Sequence, residues 1–175
     1  MERDEANRRD SSDYCDSVRI GCGPRGSTLN PLYLDTSSLV KLYVMEDGTD
    51  DVRTLVDVAS ILATSVVAYA EARAAFARRY REGALSRAAS NSLTRDLDRE
   101  WPSFLVLDVT DAIARRAGDL SLQYQLRGYD SIHLATYVEL TWRAGAGVEF
   151  SSFDDRLNRA AAAVRRRARA GKPLA

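Results

Sequence analysis

The stretch Pro31-Leu-Tyr-Leu-Asp-Thr-Ser-Ser-Leu-Val-Lys-Leu-Tyr43 constrains the fold of this chain more than any other. A short apolar run ends on a carboxylate, Asp35, and the pattern changes at once from strand to helix. An apolar run of this length, closed by a capping-type residue, fits an internal strand of a parallel sheet better than an exposed edge. Ligands of open α/β sheets gather at the carboxyl ends of such strands. Asp35 is therefore expected at the edge of a crevice, with Ser37 and Ser38 beginning the next helix beside it.

The same alternation recurs along the chain. A short helix from Ser37 to Val44 and a turn at Asp47-Gly48 precede a helix capped by Thr49 and running to Ala59. Ile61 to Thr64 reads as a second strand, and Ser65 as the cap of a helix over Val66–Arg81 that closes at Gly83. A helix from Ser86 to Glu100 stops before Pro102, and Phe104 to Val109 is a third strand. Thr110 to Leu126 is helical, ended by Gly128, and Asp130 starts the next helix, to Arg143. Val148 to Ser151 is a fourth strand and Asp154 to Arg169 a last helix; Lys172 to Ala175 would add a fifth, edge strand. Strands alternating with helices predict one α/β domain over 29–175, a parallel sheet of four or five strands between two helical layers.

Residues 1–28 stand apart. They carry charge without apolar periodicity, which predicts a disordered N-terminal extension. Gly21-Cys-Gly-Pro-Arg-Gly26 matches a dinucleotide-binding pattern, but it neither follows a strand nor opens a helix, so it reads as a loop. Cys15 and Cys22 make no disulfide framework, and with His133 as the sole histidine a four-ligand zinc site lacks partners. No run approaches the length of a membrane span and the N-terminus is not a secretory signal, so a cytoplasmic protein is expected. The net charge is zero, yet seven basic residues and no acids follow Arg156 inclusive, a block that can attract a polyanion or simply form a solvated face.

Four acids occupy positions that a solvated surface does not explain. Asp35 and Asp154 each sit between a strand and a helix, and Asp130 opens a helix; for each, N-capping is the plain alternative. Glu71 lies in an apolar stripe with Val67, Ala74 and Ala75, where desolvation costs several kcal/mol unless a partner compensates. Arg73 or Arg78 could pair with it, and a metal ion would compensate more strongly. Parallel topology brings strand ends to one side of the sheet, and clustered carboxylates repel unless a cation sits among them. All-oxygen ligation selects Mg2+ or Mn2+.

Four segments, Leu34-Asp-Thr-Ser-Ser-Leu-Val-Lys-Leu-Tyr43, Ala70-Glu-Ala72, Arg127-Gly-Tyr-Asp-Ser-Ile-His-Leu-Ala135 and Ser151-Ser-Phe-Asp-Asp-Arg-Leu157, occur in that order, and together they resemble the PIN-domain family, most closely VapC-type toxin ribonucleases. The resemblance implies a PIN-like α/β/α fold and an Mg2+-dependent endoribonuclease, the toxin of a toxin–antitoxin pair. It matches Asp35, Glu71, Asp130 and Asp154 to an acidic quartet around the ion, with Ser37 and Ser152 as supporting hydroxyls. It also implies an RNA substrate, a cognate antitoxin and a homodimer. Arg73, Arg78 and Arg127 are candidate RNA contacts and Tyr69 or Tyr129 a candidate base stack, each weighed against a solvated or packed role. Lys41 is expected at the surface and His133 as a packed or partly exposed structural histidine. An aspartate-nucleophile phosphohydrolase would need a second acid where Ser37 stands. The remaining alternative is a non-catalytic PIN-like module that binds RNA or a protein.

Overall fold

The computed structural model describes residues 30–144 and 147–171. The two cysteines, the Gly21–Gly26 motif, the N-terminal extension and the expected edge strand at 172–175 lie outside the described residues. Strands β1 (Pro31–Leu34), β2 (Ile61–Ser65), β3 (Leu105–Leu107) and β4 (Glu149–Ser151) form one sheet, in the order β3-β2-β1-β4. All three pairings are parallel, with Leu32 opposite Leu62, Tyr33 opposite Phe150 and Ala63 opposite Leu105. Between β1 and β2 run α1 (Thr36–Val40) and α2 (Thr49–Val58); between β2 and β3, α3 (Val67–Arg81) and α4 (Arg87–Glu100). Helices α5 (Asp111–Tyr124) and α6 (Gly128–Ala144) lead to β4, and α7 (Asp155–Arg169) follows it.

The three layers follow from the period of two along β1. Leu32 and Leu34 pack with Leu39, Val52, Ala72, Phe76 and Leu97 of α1–α4. Tyr33, between them, points into the opposite core with Ile113, Leu134, Leu157 and Val164 of α5–α7. Both faces of β1 are therefore dry, as its unbroken apolar run requires. The chain steps outward from β1 to β3, then returns to the far side of β1 for β4. That reversal opens a crevice at the carboxyl ends of β1 and β4, where Asp35 N–H bonds the Ser151 carbonyl at 3.1 Å. Among the described residues no helix is long and apolar enough to cross a membrane.

Several element ends differ from expectation, each for a local reason. Helix α1 has only five residues, and Asp35 caps it through the Ser38 N–H. The turn after it draws Lys41 inward rather than out: its Nζ lies 2.6 Å from Glu46 and 2.8 Å from the Asp47 carbonyl, over the Phe153 ring at 4.1 Å. Thr49 does not cap α2; Gly48 does, in the left-handed region at φ 83°, and Thr49 Oγ1 accepts instead from the Glu46 N–H. Ser65 ends β2, and α3 starts without a side-chain cap. Gln125, at φ 54°, ends α5, so Gly128 opens α6 instead of closing its predecessor.

Gly48 carries a testable consequence. A Cβ there would lie 2.3 Å from Phe153 Cε1, besides forcing a side chain into a left-handed backbone. Gly48→Ala is expected to cost about 2 kcal/mol and lower the melting temperature by roughly 4–8 °C. A thermal melt within a degree of wild type would contradict it.

Candidate active site

Asp35 is buried at the end of β1 and held on three sides. Its Oδ1 accepts from the Ser38 N–H at 3.0 Å and from Ser37 Oγ at 2.7 Å; Oδ2 accepts from Ser152 Oγ at 2.8 Å. Each serine oxygen in turn accepts a backbone N–H from the β4–α7 loop, Ser37 from Phe153 at 2.8 Å and Ser152 from Asp154 at 3.0 Å. Two hydroxyls thus stitch the first acid to the fourth. Capping does not exclude a place in a site, since Oδ1 takes the cap bond while Oδ2 faces Ser152.

Asp154 caps α7 through Oδ1, which accepts from the Leu157 N–H at 2.8 Å, and its side chain stays exposed. Asp130 was expected as a helix cap but sits inside the first turn of α6. Among the described residues no hydrogen bond or ion pair engages its carboxylate. Burial pushes its pKa up, and the negative charges of Asp154, Asp35 and, more weakly, Glu71 push the same way, with His133 opposing.

Glu71 has partners, though not the arginines expected. Its Oε2 accepts from Thr36 Oγ1 and from His133 Nε2, the latter at 2.9 Å. Burial alone would raise its pKa; the bonds from His133 and Thr36 and the attraction of His133 outweigh burial and hold it below the usual range. Such a group contributes stability above its unfolded pKa that is lost as pH falls through the folded value. Sequence reasoning missed both partners. His133 is packed, 2% exposed, as expected of a structural histidine, but its ring also reaches the acid.

These bonds run between the segments that carry the four acids. Thr36 follows Asp35 and binds Glu71; His133 binds Glu71 one turn after Asp130; Ser152 joins Asp35 to Asp154. Asp130 feels the charge of the other three. Among the described residues, no three acidic, histidine or cysteine side chains are grouped closely enough to hold a metal ion by themselves. The donor set nevertheless fits Mg2+ or Mn2+: it is all oxygen, it is repulsive when empty, and such ions keep several waters and need only one or two carboxylates.

Beside Asp130 and Asp154 opens a cleft of about 410 Å³, also lined by Phe153, Arg127, Arg156 and Arg159. Arg156 is fixed to the Gln125 carbonyl at 2.7 Å. Arg127 and Arg159 are exposed and, among the described residues, carry no ion pair. Arg73 and Arg78 do not line the cleft: Arg73 bonds Tyr69 Oη at 2.9 Å, and Arg78 lies 3.9 Å from Glu82. Tyr69 packs edge-on against Trp101 and donates to Asp98, so it is not a free stacking platform, whereas Tyr129 is 58% exposed. Arg159 was missed because helical spacing gives no hint that this turn of α7 borders the acids.

A family model described as PIN domain matches residues 32–163. Two proteins of Mycobacterium tuberculosis, Ribonuclease VapC45 (strain CDC 1551 / Oshkosh) and Ribonuclease VapC49 (strain ATCC 25618 / H37Rv), are each 30% identical over 133 residues, covering 76% of this chain and 90% of the relative. Among solved structures, M. tuberculosis VapC20, titled a sarcin–ricin loop cleaving toxin, aligns with a TM-score of 0.55 over 74% of this chain and 94% of its own. At 16% identity that likeness speaks for the fold alone.

Proposed function

The chain belongs to the PIN-domain family, and from that premise we propose that it is a toxin ribonuclease that hydrolyses RNA phosphodiester bonds with the help of Mg2+ or Mn2+. The observation that carries the reading is the state of Asp130. Three other acids and partial burial disfavour its charge, His133 offsets them only in part, and among the described residues no hydrogen bond or ion pair engages its carboxylate. A site repulsive when empty is a site built to be filled by a cation.

Asp35, Asp130 and Asp154 would hold the ion, directly or through water, with Glu71 as a further ligand or the group that orients the attacking water. Bound there, the ion supplies Lewis-acid polarisation of a phosphoryl oxygen and a lowered pKa for water. The chain's own part is positional. Ser37 and Ser152 keep both Asp35 oxygens aimed by donating to them. Thr36 and His133 keep Glu71 ionised and so able to accept a proton or a hydrogen bond. Arg127 and Arg159, on the rim of the cleft, would take phosphates on either side of the scissile bond. The relatives' names support an RNA substrate; a cognate antitoxin that covers the pocket and a homodimer belong to the same reading, as the resemblance to VapC-type toxins implies.

Purified protein with RNA and Mg2+, then with EDTA, tests the activity. Cleavage abolished by EDTA is expected. Cleavage indifferent to EDTA overturns the mechanism, and RNA retained without being cut supports a binding module instead. Growth arrest on expression, relieved by the product of a neighbouring gene, is expected of a toxin. Arg127→Gln and Arg159→Gln should each raise KM for RNA with little change in kcat, and each should lower the salt dependence of binding by about one ion. An unchanged salt slope would remove them from the RNA path.

A further inference from the structure

The proposed chemistry leaves unused a buried histidine that touches one of its acids. We propose that His133 is a positioning residue for Glu71: anchored from the core by Tyr33, it fixes the carboxylate so that Oε1 alone is left for a divalent cation or its water. The inference rests on the cation-dependent reading of the site and goes beyond it by giving a role to a residue outside the acidic quartet.

The anchoring is visible on both sides of the ring. His133 Nδ1 lies 3.0 Å from Tyr33 Oη, which itself lies 2.6 Å from Thr136 Oγ1. Tyr33 is fully buried, stacked on Phe150 at 5.5 Å and edge-on to His133 at 6.1 Å, so the imidazole cannot turn without disturbing β1.

On the other side, Nε2 and Thr36 Oγ1 both address Glu71 Oε2, and among the described residues Oε1 has no hydrogen bond. Two donors on one oxygen set the rotation of the carboxylate as well as its position. Nε2 also lies 3.0 Å from Thr36 Oγ1, so ring, hydroxyl and carboxylate meet in one triangle. An ionised carboxylate only accepts, so in its bond to Glu71 Nε2 carries the proton, whether the ring is neutral or charged. The clamp therefore does not depend on the charge of the imidazole. Without it, Glu71 keeps one bond from Thr36 and is free to turn. Outer partners of metal-binding side chains act in this way, and losing one weakens the metal by about tenfold or more.

Mn2+ affinity, measured from the free-ion EPR signal, tests this in wild type, His133→Ala, His133→Gln, Glu71→Gln and the Ala/Gln double variant, with thermal melts to confirm folding. His133→Ala is expected to weaken Mn2+ about tenfold and to lower kcat for RNA at unchanged KM. His133→Gln, which keeps an N–H donor, should restore most of the loss. In the Glu71→Gln background His133→Ala should cost little more, since the two act as one unit. Affinity unchanged in folded His133→Ala overturns the proposal, as does the same loss in both backgrounds, which marks a general loosening of the core. Should His133→Ala not fold, Thr36→Val removes the other bond to the same oxygen; weakened Mn2+ supports the clamp and unchanged affinity overturns it. A wild-type protein that binds no Mn2+ overturns the cation reading itself, a result distinct from the failure of the clamp alone.

Discussion

Asp35→Asn is expected to reduce RNA cleavage by about a thousandfold or more, because a lost charge at a metal-assisted site removes several kcal/mol of transition-state stabilisation and each 1.36 kcal/mol is tenfold in rate. The substitution separates charge from scaffold. An asparagine Oδ1 can still accept from Ser37 and from the Ser38 N–H, and the Ser152 hydroxyl can rotate to accept from the amide. The α1 cap and the link to the β4–α7 loop therefore survive while the carboxylate does not. Single-turnover cleavage of a labelled RNA at saturating Mg2+, with a melt run in parallel, reads both. A folded variant cutting within about tenfold of wild type would show that Asp35 serves the fold alone.

Asp130→Asn should also end cleavage, yet make the metal-free protein more stable. Two effects oppose each other at this position. The first turn of a helix favours a negative side chain by about 0.3–1 kcal/mol, and Asp130 lies in the first turn of α6. Burial and the charges of Asp154, Asp35 and Glu71 act against the charge, and the raised pKa says that they win. The sign follows from linkage. A carboxyl whose folded pKa is raised contributes stability that is complete below its unfolded pKa and lost as pH rises through the folded value. In EDTA the variant should thus melt with wild type at acid pH and above it at neutral pH. Added Mg2+ should raise wild type more than the variant, because only the intact site binds the ion well. A variant that melts below wild type in EDTA at neutral pH would mean that Asp130 is held by a favourable contact instead.

Much of this arrangement was legible before any coordinates. The apolar run of β1 demanded burial on both faces, and the strand–carboxylate–helix order at Asp35 and Asp154 put both acids at one edge of the sheet. Glu71 stood out because a carboxylate in an apolar stripe needs an explanation. Its partners were not legible: Thr36 and His133 lie 35 and 62 residues away, and no periodicity within a helix reports contacts of that separation. The ends of helices failed where backbone geometry overrode residue type. Gln125 takes the left-handed position that Gly128 was expected to fill, and this moves Asp130 from the cap into the first turn. Lys41 shows the same limit, since only the folded turn reveals Glu46 and Phe153 waiting for its ammonium. Among the arginines, sequence could count charges but not subtract the pairs. Arg73 bonds Tyr69 and Arg78 lies 3.9 Å from Glu82, both away from the cleft that Arg127 lines beside the acids.

The central claim is that acids distant in sequence are brought together to take up a cation. An anomalous difference map from crystals soaked in saturating Mn2+ tests it most directly. A peak beside the carboxylates of Asp35 and Asp130, weakened when Mg2+ is added in excess, is the predicted result. A clean map with no peak at those carboxylates would contradict it.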